Sequence, residues 1–244
     1  AGSVVSETEH CAAALGRRLE TIGTGSGESP QQRLVRHAAR IAELTDVPQL
    51  EQAVLDAAID VSGMDSAALA VSGTQGLAVV RAAGPLAPVL SRLSSGDLVD
   101  LSTLVSEVAS CYTAGDSTGR GFVGTDTLRA AGARTVAVVP LLARGRRTGI
   151  LLVADTVAAS LQTGDAQLLE LLGAQAGTCL DNAAMVAELR ERARRDPLTG
   201  LGNHSAFHEA LDQARRERRP WHVVLADIDR FKAVNDERGH LTGD

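Results

Sequence analysis

Aromatic side chains are nearly absent from this 244-residue chain: one Trp, one Tyr and three Phe make up 2% of it. Any core must be assembled from Ala, Leu and Val, and 44% hydrophobic against 22% charged residues is enough to build one, which excludes wholesale disorder. No apolar run reaches the 18 residues that a membrane helix needs, and the first residues do not follow the basic-then-apolar order of a signal peptide. The expectation is a cytoplasmic chain without a membrane segment. Cysteine is scarce as well. Cys11, Cys111 and Cys179 are odd in number, far apart and without C-x-x-C spacing, so they read as free thiols. No His lies between residues 38 and 203, so no imidazole in the middle of the chain can hold a haem iron or a metal. A net charge of -6 argues against a protein that coats nucleic acid, and no nucleic-acid partner is expected.

What is present falls into four blocks. Residues 4 to 22 can form a short helix, "GTGSGESP" at 23–30 is a Gly/Ser break, and 31–45 carry Leu34, Ala38, Ile41 and Leu44 on one helical face, so that 1–46 form a helical lead-in. "QLEQAVLDAAIDVSG" then spaces Leu50, Val54, Leu55, Ala58 and Val61 as one stripe and stops at Gly63. "SAALAVSG" and "GLAVVRAAG", joined through "GTQG", predict a hairpin, and "TVAVVPLLA" and "TGILLVAD", joined by "RGRR", predict another. Charges at a loop tip of that kind stay in water at no desolvation cost. About fifty residues separate the two pairs. The fold class predicted is α+β, an antiparallel sheet with helices on its faces.

The order helix, hairpin, long excursion, hairpin, long helix resembles a GAF domain, and "LRAAGARTVAVVPLLARGRRTGILLVAD" carries most of the resemblance, which runs over about 47–187 with the domain body at 47–162. The resemblance implies a small-molecule sensor or dimerisation module, with a pocket closed over the sheet by the excursion. Cys111 and Tyr112 fall there as candidate pocket residues. Cys111 can be read as a ligand contact, a tetrapyrrole attachment point, a redox sensor, or a buried inert thiol. Asp116, Asp126 and Asp155 are available polar anchors, and surface or turn roles suit them equally well. No "NKFDE"-like run, the mark of the family's cyclic-nucleotide-binding members, occurs. The GAF ligand, if one exists, is not named by the sequence.

Residues 163–195 read as one long linker helix, with Thr163 as cap and Asp165 in the first turn. Leu169, Leu172, Ala176, Cys179, Ala183, Val186 and Ala193 follow a 3-4 spacing broken only by Arg190, close to a heptad seam. Packing of a terminal helix on its own sheet accounts for the first half. "MVAELRERARR" is too poor in apolar residues for a lone surface helix, and the expectation is a parallel coiled-coil homodimer along this seam.

The last block, 196–244, begins "DPLTGLGNHSAFHEAL", which ends one helix and opens another near Ser205. "WHVVLADIDRFKAVNDERGH" then reads as an apolar strand that delivers Asp227 and Asp229 to the same face, followed by a helix. Carboxylates there suit a hard cation such as Mg²⁺, and the helix start suits phosphate. Together the two motifs resemble the opening half of a GGDEF domain, the catalytic domain of diguanylate cyclases, with its ferredoxin-like cyclase fold. The resemblance implies that two GTP molecules, held by facing domains of a homodimer, become cyclic di-GMP. It implies that Asp227 and the carbonyl of Ile228 bind metal, that Asn235 and Asp244 bind guanine, and that Lys232 neutralises the triphosphate. Two departures stand out. His204 and Ser205 occupy the place where two Arg commonly follow "TGLGN", and no GG(D/E)EF hairpin, source of the second metal carboxylate, occurs in these 244 residues. The expectation is thus the regulatory region of a diguanylate cyclase with its catalytic domain cut short. The other reading is a non-catalytic GAF module whose GGDEF remnant serves docking or dimerisation.

Overall fold

The computed structural model describes residues 28–103, 105, 110–113, 126–157, 163–218, 220–239 and 241. The short helix expected at residues 4 to 22 lies outside them. The chain divides into two compact units, residues 1–184 and 185–244.

In the first unit, helix α1 (Pro30–Glu43) opens with a capping box. Ser29 accepts from the Gln32 amide at 3.3 Å, while the Gln32 side chain accepts from the Ser29 amide at 2.7 Å. Helix α2 (Val47–Ser62) is capped by Asp46 and stops at Gly63, as expected. Strands β1 (Ser66–Gly73) and β2 (Gly76–Ala83) form the first hairpin, and short helices α3 (Ala87–Leu90) and α4 (Ser95–Thr103) follow. Strand β3 (Ser110–Thr113) and helix α5 (Asp126–Ala130) lead to the second hairpin, β4 (Thr135–Ala143) and β5 (Arg146–Asp155). Its loop is only Arg144 and Gly145, both in the left-handed region at φ 52° and 71°. Two positive φ values in a two-residue loop match the twist of the flanking strands. Arg146 and Arg147, expected in the loop, are therefore strand residues.

The five strands form one antiparallel sheet in the order β2-β1-β5-β4-β3. Because side chains alternate across a strand, the sheet feeds two cores. Ala67, Leu69, Ala137, Val139, Leu141, Leu151 and Val153 face one side, covered by Leu34 and Ile41 of α1, the Leu50–Val61 stripe of α2, and Leu169, Leu172 and Ala176. Ala68, Ala70, Val136, Val138, Ile150, Leu152 and Ala154 face the other, covered by Leu86, Leu90, Leu93, Leu98, Leu101 and Leu128 of the excursion. The α+β expectation is met, and with so few aromatics both cores are aliphatic.

Helix α6 (Thr163–Ala193) is 31 residues long. Its first half packs on the chain's own sheet, as the sequence reading allowed for the first part of the seam. Leu169, Leu172, Ala176 and Ala183 are buried within the chain's own core, and Cys179 packs against it partly buried. Gly173 and Gly177 show how closely the helix lies on the sheet: a Cβ at Gly173 would stand 2.7 Å from the Pro140 carbonyl oxygen, and one at Gly177 2.6 Å from the Leu142 backbone. A 3-4 repeat specifies an apolar face without specifying what covers it, and the sheet covers the first half of this one. Val186 and Leu189, by contrast, are 39% and 61% exposed.

The second unit contains the end of α6, helix α7 (His204–Arg216) and helix α8 (Phe231–Arg238). The strand expected before Asp227 does not form: residues 221–228 have no regular structure and are exposed throughout, with Val224 and Leu225 at 90% and 95%. A strand needs a ladder partner for its amides and carbonyls. None pairs with this segment among the described residues, nor does any hydrophobic residue after Ala183 count among the buried ones.

Candidate functional site

"DPLTGLGN" folds as a tight connector between α6 and α7. Asp196 Oδ1 accepts from the amides of Leu198 at 3.2 Å and Thr199 at 2.9 Å, and from the Thr199 hydroxyl at 2.9 Å. These bonds, the Thr199 amide first and its hydroxyl next, hold the Asp196 carboxyl below the usual carboxylate range. Asn203 works in two directions. Its Nδ2 donates to the Ala193 carbonyl at 2.8 Å, closing the end of α6, while its Oδ1 accepts from Ala206 at 3.1 Å as the N-cap of α7. Arg195 donates to the Gly200 carbonyl at 3.1 Å and pairs with Glu191 at 2.7 Å. The motif therefore fixes how one helix ends and the next begins.

The residues expected to bind nucleotide are only partly brought together. Asp227 and Asp229 sit in or next to the irregular exposed stretch, so the shared strand face that would align them is absent. The Ile228 carbonyl accepts from the Phe231 amide at 3.3 Å, at the entry to α8. Lys232 and Asn235 are three residues apart on α8 and so on one side of it. The Asn235 carboxamide oxygen is shielded from solvent and accepts no hydrogen bond among the described residues. Asp244 lies outside the described residues. Oxygen donors are right in kind for Mg²⁺, but among the described residues no three His, Cys, Asp or Glu side chains gather to hold a metal. The donor set among the described residues is therefore incomplete for a metal site.

On the sheet, Cys111 and Tyr112 lie in β3, where their register partners are Ala137 and Val136. Those partners belong to opposite cores, so the two backbone positions alternate between the two faces of the sheet. Asp116 lies outside the described residues, and Asp126 begins α5. Asp155 is buried, its Oδ1 accepting from the Val157 amide at 2.8 Å, which is a turn role.

Two arrangements were not legible in the sequence. Arg147 donates through Nη1 to the carbonyls of Ser102 at 2.5 Å and Val105 at 2.7 Å, tying β5 to the root of the excursion. His37, buried on α1, meets Asp60 of α2 through Nε2 at 2.7 Å, and Arg33 and Arg36 reach the same carboxylate at 3.2 Å. Burial raises the Asp60 carboxyl, while the bonds from His37 and Arg33 outweigh it and leave the net shift downward. The helical spacing of residues 33, 36 and 37 was the available signal.

Comparison with known proteins fits this geometry. The GAF domain model matches residues 46–182, and the model of the diguanylate cyclase GGDEF domain matches 193–244. The diguanylate cyclase DgcP of Pseudomonas aeruginosa is 52% identical over 59 residues, 22% of this chain and 9% of that protein. The cyclic di-GMP phosphodiesterase NbdA of the same organism is 44% identical over 62 residues, 24% of this chain and 8% of that one. The chain spans less than half the length of the curated relatives it matches. Among solved structures, the GAF domain of an Acinetobacter phosphoenolpyruvate-protein phosphotransferase superposes with a TM-score of 0.53 at 15% identity, covering 65% of this chain and 97% of that one, a likeness of fold.

Proposed function

The chain belongs to the GAF domain family, and we propose that it is the sensory and linker region of a cytoplasmic diguanylate cyclase, joined to the opening part of the GGDEF domain that converts two GTP to cyclic di-GMP. The observation that carries the reading is the pairing of a five-stranded, two-core sheet with a specific "DPLTGLGN" connector and a downstream "DIDRFKAVND" segment. We assign 47–162 to the GAF body, 163–195 to the linker helix, 196–244 to the cyclase segment and 1–46 to a lead-in, although α1 of that lead-in is built into the GAF core.

In this reading the Asn235 carboxamide and the Asp244 carboxylate meet the guanine N1 and N2 donor edge. Adenine presents no such edge. Lys232 stands on the same helix to balance phosphate charge. Asp227 and the Ile228 carbonyl contribute oxygens to Mg²⁺, whose role when bound is to neutralise the triphosphate. Homodimerisation through the exposed second half of α6, around Val186 and Leu189, brings two such domains face to face.

A second reading has one observation in its favour. With no buried apolar side chain after Ala183 among the described residues, the cyclase segment can equally serve as a docking or dimerisation element of a GAF module. Product formation from GTP and Mg²⁺ decides between them. The 244-residue chain alone makes no cyclic di-GMP, whereas a protein extended through a GGDEF hairpin does, and Asp227→Ala abolishes its turnover. An extended protein with an intact motif that makes no product overturns the cyclase reading.

A further inference from the structure

Helix α7 carries two imidazoles one turn apart, the first of them, His204, at a position where the resemblance leads one to expect arginine. His204 and His208 are four residues apart, so they stand one above the other on a single exposed face. Their ring centroids are 4.4 Å apart, their planes meet at 63°, and the two Nε2 atoms are 3.1 Å from each other. That is hydrogen-bond distance, with the tautomer of each ring deciding which nitrogen donates. It is also the separation of two neighbouring ligands on one metal. An ion about 2.0 to 2.1 Å from both nitrogens subtends an angle of about 95 to 100°, between the right angle of octahedral or square sites and the tetrahedral angle.

We propose that His204 and His208 chelate a borderline divalent transition-metal ion, of the class of Zn²⁺, Ni²⁺ and Cu²⁺, through their Nε2 atoms. On binding, the ring that donates through Nε2 takes its other neutral tautomer, so that each ring carries its one proton on Nδ1 and presents a free Nε2 to the ion. The acids that follow on the same helix are engaged: Glu209 pairs with Arg194 at 3.0 Å and Asp212 with Arg215 at 3.4 Å. Among the described residues no third His, Cys, Asp or Glu joins the pair, so water fills the other positions. The donor set differs in kind from the oxygens of Asp227 and Ile228: imidazoles select Cu²⁺, Ni²⁺ and Zn²⁺ over Mg²⁺. The positive end of the α7 dipole, close to His204, opposes the cation and keeps affinity moderate. Preorganisation acts the other way, because the Asn203 cap fixes the helix turn that carries both rings.

The test is calorimetric titration of Zn²⁺, with Ni²⁺ and Mg²⁺ in parallel, into the full 244-residue chain. One Zn²⁺ per chain is expected to bind, and Mg²⁺ is expected not to compete. His204→Gln and His208→Gln should each weaken Zn²⁺ at least tenfold, with helix content by circular dichroism unchanged because both side chains are exposed. His222→Ala should leave affinity within twofold. Zn²⁺ binding by the double His204→Gln, His208→Gln variant within threefold of the parent overturns the proposal, as does a loss in His222→Ala equal to that of either single variant.

Discussion

Asp60 of α2 receives His37 Nε2 of α1 at 2.7 Å, and Arg33 and Arg36 close on the same carboxylate at 3.2 Å. One acid thus collects three bases from one helix, and it is the main polar tie between α1 and the body of the first unit. Asp60→Ala strands a buried imidazole and two guanidiniums and is expected to cost about 1 to 3 kcal/mol in urea denaturation near neutral pH. The sign of the pH dependence follows from the lowered carboxyl. Its contribution is full above the ordinary carboxylate value and fades as pH falls through the lower folded value. Parent and variant should therefore converge in stability only in strong acid. A gap that persists unchanged there would mean that packing, not charge, separates them.

Gly177 offers a sharper steric test. A Cβ there meets the Leu142 backbone at 2.6 Å, and backbone does not yield as a side-chain tip does. Gly177→Ala gains helix propensity of about 1 kcal/mol yet is expected to lose more, with a net cost of about 1 to 3 kcal/mol for overpacking. Gly164→Ala, with nothing within 4 Å, should be neutral or slightly stabilising. Thermal melts of the two variants check the contrast, and equal behaviour would show that α6 can lift from β4.

These two sites mark what the sequence could and could not disclose. Both hairpins were legible because period-two alternation and turn residues are local signals. The Asp60 cluster was not, because it joins residues 23 to 27 positions apart by charge and not by apolar rhythm. The α6 repeat was legible as a face but not as a partner, since Gly173 and Gly177 bring it onto the sheet only in three dimensions. The apolar run before Asp227 looked like a strand because composition reports propensity, whereas strand formation depends on a neighbour that no described residue supplies. Asp227 and Asp229 were read from the alternation of a strand that does not form, and Lys232 and Asn235 from motif resemblance, which carries no three-dimensional signal.

Val186→Asp addresses the proposed dimer. Val186 is 39% exposed on the second half of α6 and lies outside the buried core of the chain, so the substitution should leave the fold intact. Facing carboxylates in an apolar interface oppose association. Sedimentation at micromolar concentration should show the dimer shifted to monomer, and an unchanged dimer would remove this half of the helix from the interface.

Asn203→Ala removes both the α7 cap and the tie to Ala193. The expected loss is about 1 to 2 kcal/mol, local to the connector. Hydrogen exchange should quicken at the first turn of α7 and leave the β1 to β5 amides unchanged. Protection lost equally in the sheet would show the two units to be coupled in stability.

The contact of Gly173 and Gly177 with β4 has a mechanical corollary. Where bulky side chains separate a helix from a sheet, their rotamers act as padding and absorb small displacements. Here backbone rests on backbone, so the interface is stiff, like gear teeth without slack. With little side-chain padding between α6 and β4 near Pro140 to Leu142, a displacement of the strand there is expected to carry the helix with it.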